Sequence, residues 1–132
     1  NKIVWLNLTG SGNETAAHLV KNDRMTIMFC AFEGPPKILR LYGQGEVFET
    51  GTENFDNLKH HFPTYVNARS IIKIKVQRIQ DACGYAVPLM EFQKERDVLD
   101  KWAANKGKEG IEEYIKKNNS TSIDGLSGCV SP

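Results

Sequence analysis

The residues with the clearest capacity for chemistry lie near the N-terminus, in the stretch LNLTGSGNETAAHL that begins at Leu6. Its pattern predicts a strand, then a tight Gly-Ser-Gly turn, then a short amphipathic helix from Asn13 to Lys21. Ser11 and Glu14 have the S-x-x-E spacing of a capping box, which satisfies free amides in a first helical turn. The N-terminus of such a helix also presents N–H groups and the positive end of the helix dipole to an anion. The stretch is therefore either a phosphate-binding turn or a well-capped turn that binds nothing, since the turn itself contains no Lys or Arg.

Arg40 and the histidines are the next candidates for chemistry. Arg40 stands between two leucines in a predicted strand, where a buried guanidinium would need an anion and phosphate would suit its planar fork. The alternative is an outward-facing arginine on a half-exposed strand. His18 is either an acid–base group or a structural histidine, and the pair His60-His61 is interpreted as a helix end. The histidines and cysteines show no zinc spacing, so no metal site is predicted.

The elements that must position these residues alternate between strands and helices. Residues 70–80 have the clearest period of two, with Ile72, Ile74 and Val76 facing inward. Gly43 and Gly45 fall within another predicted strand, where the missing side chains let a sheet coil sharply or let another group come close. The predicted strands cover 3–8, 24–32, 37–49 and 70–80, and the predicted helices cover 13–21, 52–61, 94–105 and 108–118. This order predicts an α+β, mainly β fold in which a small antiparallel barrel has helices across its openings.

Three segments have a less regular pattern. Residues 24–32 are apolar on both faces, so this strand is either central in the barrel or covered by a partner. Residues 81–92 are apolar but interrupted by glycine and proline, which predicts an irregular loop packed on the barrel. Beyond Asn118 the chain is polar and glycine-rich, and Ile123 and Leu126 are the expected anchors.

The size and charge of the chain limit the classes of partner. Its 132 residues are expected to form one domain, and 17 basic against 16 acidic residues leave a net charge of +1. We therefore predict neither a nucleic-acid nor a membrane partner. The basic edge of Lys73, Lys75 and Arg78 is interpreted as a solvated strand face, with an RNA contact as the alternative. Three widely spaced cysteines and the lack of a long apolar run predict a reduced, cytoplasmic protein. Asn1 stands directly in a strand pattern, so we expect this to be a trimmed form of a longer protein.

Three stretches together resemble the flavin-binding split β-barrel family named after pyridoxamine 5′-phosphate oxidase. They are VWLNLTGSGNETAAHLVKNDRMTIMFCAF (Val4 to Phe32), EGPPKILRLYGQGEV (Glu33 to Val47) and DACGYAVPLMEF (Asp81 to Phe92). The last of them, with SIDGL (Ser122 to Leu126), is similar to a subgroup whose members are named as oxidases without an assigned substrate. The resemblance implies an antiparallel split β-barrel with flanking helices. Residues 1–93 would form the flavin-binding domain, with its first strand before residue 1, and residues 94–132 would form helices and a tail packed on it.

The same resemblance implies a homodimer that binds two FMN molecules in clefts between the subunits. The strand-to-helix turn would hold the flavin phosphate. Six residues around that turn would be in the cofactor site by position: Asn7, Leu8 and Thr9 beside the flavin ring or ribityl chain, and Ser11, Asn13 and Thr15 near the phosphate. The resemblance thus favours the anion-binding interpretation of the turn.

Two further residues complete the predicted cofactor site. Arg40 would lie on a strand that flanks the cofactor, and Tyr85 would either stack on or hydrogen-bond the flavin across the dimer, or act as a packing aromatic. The chain departs from the oxidases proper, because it lacks their Ser-Arg-Lys run in the turn and their substrate-binding Arg, Tyr and His pattern. The phosphate charge must then be met by Arg40, by Arg24, by a partner residue or by a segment before residue 1. Pyridoxine phosphate is accordingly not predicted as the substrate.

These observations predict an FMN-dependent oxidoreductase that acts on an unassigned small molecule or electron donor. The sequence shows no dedicated acid or base, which is tolerable because the flavin supplies the reactive atom. The alternative is a non-catalytic flavin- or haem-binding protein of the same fold. A nucleic-acid-binding small barrel is the third hypothesis, and the near-neutral charge disfavours it.

Overall fold

The structure, a computed structural model, describes residues 1–128. Its strands are β1 (Lys2–Leu8), β2 (Arg24–Cys30), β3 (Lys37–Glu49) and β4 (Ala68–Cys83). Its helices are α1 (Glu14–Lys21), α2 (Glu53–Leu58) and α3 (Val98–Asn118), and a 3-10 turn, Lys59–His61, follows α2. The predicted strands and helices are therefore present in the predicted order.

The four strands form one antiparallel sheet in the order β1-β4-β3-β2. The mixed α+β, mainly β class is thus confirmed, but the sheet formed by the described residues is open, with β1 and β2 at its edges. Closure requires the two edge strands to meet, and four strands leave no interior wide enough for side chains. The predicted closed barrel is therefore not present in the described part of the chain.

The hydrophobic core lies between α1 and one face of the sheet. Ile72 and Ile74 of β4 are fully buried and pack with Leu19 of α1. Partly buried apolar side chains surround them: Trp5, Met25, Ile27, Val47 and Val76. The period of two in β4 is thus confirmed, and it explains why α1, and the turn before it, sits over the centre of the sheet.

The two glycines within β3 are positions of close approach. A Cβ atom on Gly43 would overlap the backbone carbonyl oxygen of Lys75, next to the register shift between Tyr42 and Gly43. A Cβ atom on Gly45 would lie 2.9 Å from a methyl group of Leu19. The sequence allowed these glycines either to let the sheet coil sharply or to let another group come close. The structure shows close approach of another group at both positions.

We expect Gly43→Ala to destabilise the protein more than Gly45→Ala. At Gly43 the obstructing atom is backbone, so the sheet itself must move, whereas at Gly45 it is the end of a flexible side chain that can change rotamer. The expected losses in the free energy of unfolding are about 2 kcal/mol or more for Gly43→Ala and about 1 kcal/mol for Gly45→Ala. Urea unfolding of both variants checks this, and an equal or reversed order would contradict the close packing of β3 on β4.

The helices differ from expectation mainly at their ends. Thr52 is the N-cap of α2, as predicted, and its side chain accepts a hydrogen bond from the N–H of Phe55. The predicted helix from residue 94 begins only at Val98. Gly107, with φ 64° and ψ 178°, interrupts α3 at the predicted break. Trp102 and Tyr114 meet edge to face across that break with 4.9 Å between ring centroids, so the two helical segments fold back on each other.

Strand β2 is an edge strand, so it is not the central strand that its apolar composition allowed. Met28 and Phe29, on opposite faces of it, are each more than half exposed.

Cys30 and Cys83 are free thiols, and Cys129 lies outside the described residues. Within residues 1–128, none of the helices is long and apolar enough to cross a membrane. No group of three His, Cys, Asp or Glu side chains in that range could hold a metal ion.

Candidate functional site

The turn between β1 and α1 has a different local structure from the predicted capping box. Asn13 is the N-cap of α1, and Ser11 is exposed. The carboxylate of Glu14 accepts its hydrogen bond from the backbone N–H of Ile123, at 3.1 Å. The reciprocal Ser11–Glu14 arrangement is therefore wrong, because the C-terminal segment supplies the donor that the carboxylate binds.

Arg69 connects the turn to the sheet through hydrogen bonds. The pairing of β1 with β4 places Asn7 opposite Ser70 and Leu8 opposite Ala68, so Arg69 falls at the register shift beneath the turn. Its Nη2 donates to the carbonyl oxygen of Gly12 at 3.0 Å and to Oδ1 of Asn7 at 3.2 Å. Its Nη1 donates to Oδ1 of Asn119 at 2.7 Å. One guanidinium thus ties the end of β1, the turn and the residue that follows α3 to the sheet.

The charge of Arg69 is only partly compensated by these contacts. The residue is 7% exposed, and burial lowers the pKa of its guanidinium. The ordinary pKa of arginine is so high that the group stays charged at neutral pH. Its described hydrogen bonds all go to neutral oxygens, and its Nε has no partner within residues 1–128. The positive charge therefore makes the turn a favourable place for an anion.

Other buried polar atoms near the turn also lack a partner. Thr9 is fully buried and Asn13 is 6% exposed, yet Oγ1 of Thr9 and Oδ1 of Asn13 accept no hydrogen bond from the described residues. The Nδ2 group of Asn67, whose backbone carbonyl accepts from the N–H of Thr9 at 2.8 Å, is unpartnered as well. Buried polar atoms without partners are rare in folded proteins and call for a water, an ion or a ligand. The turn therefore has the features of a polar binding site and not only of a chain reversal.

Asn119 holds the turn from its other side. Its Nδ2 donates to the carbonyl oxygen of Gly10 at 3.1 Å, while its Oδ1 accepts from Arg69. The residue is 1% exposed. Arg69 and Asn119 together thus bind the carbonyl oxygens of both glycines in the Gly-Ser-Gly turn.

The structure brings together the six predicted site residues around the turn. Asn7 lies at the end of β1, where its Nδ2 donates to Oγ of Ser70 at 3.0 Å and its Oδ1 accepts from Arg69. Leu8 is half-buried and Thr9 is fully buried. Ser11 and Thr15 are exposed around Asn13. Whether these residues contact a cofactor stays a prediction, but their proximity to one another is a feature of the fold.

Arg40 and Tyr85 do not join this group within one chain. Arg40 pairs with Gln80 at the other end of β4, ten residues from Ser70. At about 3.3 Å per residue this separation is roughly 30 Å. Tyr85 follows β4 at the same far end and is 85% exposed. A single chain therefore cannot present these two side chains and the turn to one small ligand.

Arg24, the other proposed source of positive charge, lies in a groove of its own. The groove is open, has a volume of about 590 Å³ and is lined by Arg24, Thr26, Tyr42, Gly43 and Arg78 among others. Arg24 pairs with Gln44, and Ser70 beneath the turn pairs with Glu49, so the two positions differ by five residues of β3. That spacing is roughly 17 Å. Arg24 therefore does not reach the turn.

Sequence reasoning missed both residues that hold the turn. The predicted strand began at Ser70, one position after Arg69, so no pattern assigned a face to the arginine. Asn119 stands in a polar segment without periodicity. A usable signal was present for Arg69 alone: it lies between small residues at the start of a strand that is otherwise apolar on its inner face.

Comparison with known proteins finds a curated relative over nearly the whole chain. The chain is 33% identical over 148 aligned positions to the Aspergillus flavus protein named pyridoxamine 5′-phosphate oxidase family protein ustO. The match covers 99% of this chain and 59% of that relative, so the chain spans less than two thirds of its length. No family model matches the chain, and no solved structure gives a significant match. This similarity agrees with the resemblance carried by the three stretches identified in the sequence: over nearly its whole length the chain is similar to a protein of the pyridoxamine 5′-phosphate oxidase family.

Proposed function

We propose that the protein binds FMN and serves as a flavin-dependent oxidoreductase on a small molecule or electron donor. The observation that carries the proposal is Arg69, a buried guanidinium whose described partners are neutral, beneath a turn that opens a helix. The similarity to a pyridoxamine 5′-phosphate oxidase family protein supports flavin as the ligand class. When bound, FMN would accept or donate the hydride, and the protein would bind and orient it.

The residues of the turn fit a phosphate group. Arg69 supplies positive charge, α1 supplies the positive end of its dipole, and Ser11 and Thr15 supply exposed hydroxyls. The unpartnered Oγ1 of Thr9 can act as a further hydrogen-bond donor. The oxidases proper have a Ser-Arg-Lys run in this turn, and this chain does not. In our proposal the guanidinium of Arg69, on β4, supplies the positive charge instead.

A homodimer is part of the proposal, because Arg40 and Tyr85 lie roughly 30 Å from the turn of their own chain. They can act on the same cofactor only if a second copy brings its far end to the turn. Large apolar side chains at that end are exposed and suit such a contact: Met28, Phe29, Ile79, Leu89, Met90 and Phe92. A split barrel completed by strands outside the described sheet is the corresponding fold.

The test is a comparison of FMN with riboflavin, which is the same flavin without the phosphate. The expected result is that FMN binds about a hundredfold more tightly, which corresponds to about 2.7 kcal/mol. Flavin fluorescence titration gives both dissociation constants, and heat release from the purified protein identifies any flavin that it carries. Equal affinities would contradict a phosphate site, and failure of both ligands to bind would contradict the flavoprotein assignment.

Turnover is tested separately on the FMN-loaded protein. Bleaching of the flavin absorbance by NADH or NADPH without oxygen, and its return when oxygen is admitted, would support an oxidoreductase. Tight FMN binding with no reduction by either donor or by candidate substrates would favour the non-catalytic alternative.

A further inference from the structure

The C-terminal segment Asn119–Gly128, called the strap from here on, folds into a closed loop. Thr121 and Ser127 form a β-bridge, and the N–H of Gly128 donates to the carbonyl oxygen of Ser120 at 2.9 Å. Within the loop the N–H of Ser122 donates to the carbonyl oxygen of Leu126 at 2.9 Å. The strap therefore has a defined conformation of its own, although the sequence predicts only polar irregular chain there.

The strap is bound to the turn and to α1 at four points. Asn119 holds the carbonyl oxygen of Gly10, and the side chain of Asn13 donates to the carbonyl oxygen of Gly128. The N–H of Ile123 donates to the carboxylate of Glu14. The fourth contact joins Nε2 of His18 to Oδ2 of Asp124 at 2.8 Å. These contacts span more than 100 positions of sequence, so the turn has this environment only when the strap is docked.

Docking of the strap fixes one of the two peptide units that orient the amides of the turn, through Asn119, and Arg69 of β4 fixes the other. Every peptide bond here is trans, and in a trans peptide unit the carbonyl and the N–H point in opposite directions. Asn119 and Arg69 hold the carbonyl oxygens of Gly10 and Gly12 toward the protein. The N–H groups of Ser11 and Asn13 therefore point to the opposite side of the turn. A phosphate on that side would meet two oriented N–H donors above the charge of Arg69.

We infer that the strap is a latch for the phosphate-binding turn, with Asn119 as its positioning residue, and that strap docking and phosphate-ligand binding are thermodynamically coupled. The inference rests on the proposed function, because it assigns a regulator to that same site. Coupling between two equilibria is reciprocal. Phosphate-ligand binding must therefore increase the equilibrium constant for strap docking by the same factor by which docking increases the affinity for the ligand.

The first test is hydrogen exchange of the full wild-type chain with and without saturating FMN. The amides of Ile123, Leu126 and Gly128 report on the strap because each is hydrogen-bonded within it or to α1. We expect FMN to slow their exchange by about tenfold, within the usual range of coupling between sites. Unchanged exchange with FMN bound would overturn the latch and leave the flavin assignment standing.

The second test is Gly128→Ala, which opens the strap without changing any charge. A Cβ atom at this position would overlap the carbonyl oxygen of Asn119, so the loop cannot close. We expect the dissociation constant for FMN to rise by the same factor of about ten. The matched control is Gly107→Ala, which strains a positive φ of 64° in open space at the break within α3 and should leave the affinity unchanged.

The outcomes separate the two proposals. If wild-type protein binds no FMN, both the proposed function and the latch fall. If it binds FMN but Gly128→Ala binds it equally well, or Gly107→Ala loses as much affinity, the latch alone is contradicted. If Gly128→Ala does not fold, the exchange experiment on the wild-type chain decides by itself.

Discussion

Replacing Arg69 with methionine is expected to lower FMN affinity by about a hundredfold and the free energy of unfolding by about 3 kcal/mol. Methionine has a similar length but no charge and no donor. It leaves the oxygens of Gly12, Asn7 and Asn119 without their donor, and each unsatisfied buried acceptor costs about 1–3 kcal/mol. Removing a partly compensated buried charge offsets some of this loss. The affinity falls because the turn loses both the positive charge beneath it, which favours a phosphate on its other side, and the donor that fixes the carbonyl oxygen of Gly12.

Arg24→Met is the matched control for this variant. Arg24 is exposed in the groove roughly 17 Å from the turn, so the same substitution should change the free energy of unfolding by no more than about 0.5 kcal/mol. It should also leave FMN affinity intact. Urea unfolding and fluorescence titration of both variants measure these effects. Loss of FMN binding in Arg24→Met, with binding retained in Arg69→Met, would move the phosphate site from the turn to the groove.

Arg69→Lys separates the charge of the arginine from its geometry. Lysine keeps the positive charge but lacks the planar fork that reaches three oxygens in fixed directions. We therefore expect this variant to retain more FMN affinity than Arg69→Met and to recover only part of the lost stability. A lysine variant equal to the methionine variant in affinity would mean that Arg69 acts through the conformation of the turn and not through its charge.

The strands could be predicted because their signals are local. The alternation from Ile72 to Val76 and the apolar run of β2 are visible in short windows, and the structure has strands at both places. The break at Gly107 was equally local. The ends of elements were less well predicted, because the N-cap of α3, Asp97, follows charged residues that suit a helix equally well, and the first residues of β4 show no change of period.

The arrangement around the turn could not be predicted because it depends on distant pairing. Arg69 lies 57 positions from Gly12, and Asn119 lies 109 positions from Gly10. Residues so far apart in the chain form no local spacing pattern from which either contact could be predicted. Glu14 illustrates the same limit: its spacing from Ser11 is that of a capping box, but a tertiary donor, the N–H of Ile123, binds its carboxylate. Ile123, expected as an apolar anchor, has an 88% exposed side chain and anchors the strap through its backbone.

The core beneath α1 is expected to be the most sensitive apolar part of the fold. Ile72→Ala should lower the free energy of unfolding by about 3–4 kcal/mol, because the side chain is fully buried and its removal leaves a cavity against Leu19. Ile79→Ala is the control on the same strand. Ile79 is 57% exposed, so its truncation should cost less than about 1 kcal/mol in a monomer. Urea unfolding at low protein concentration measures both.

The same pair of variants also tests the proposed dimer. Ile79 lies at the far end of the sheet, near Arg40 and Tyr85, which can act at the turn only from a second copy. If that end is covered in the dimer, the loss caused by Ile79→Ala should grow as protein concentration rises, since association stabilises the wild-type chain by mass action. The loss caused by Ile72→Ala should show no such growth, because its cavity lies within one chain. A small loss for Ile79→Ala that stays constant at every concentration would contradict burial of this surface between subunits, and with it the participation of Arg40 and Tyr85 in the site.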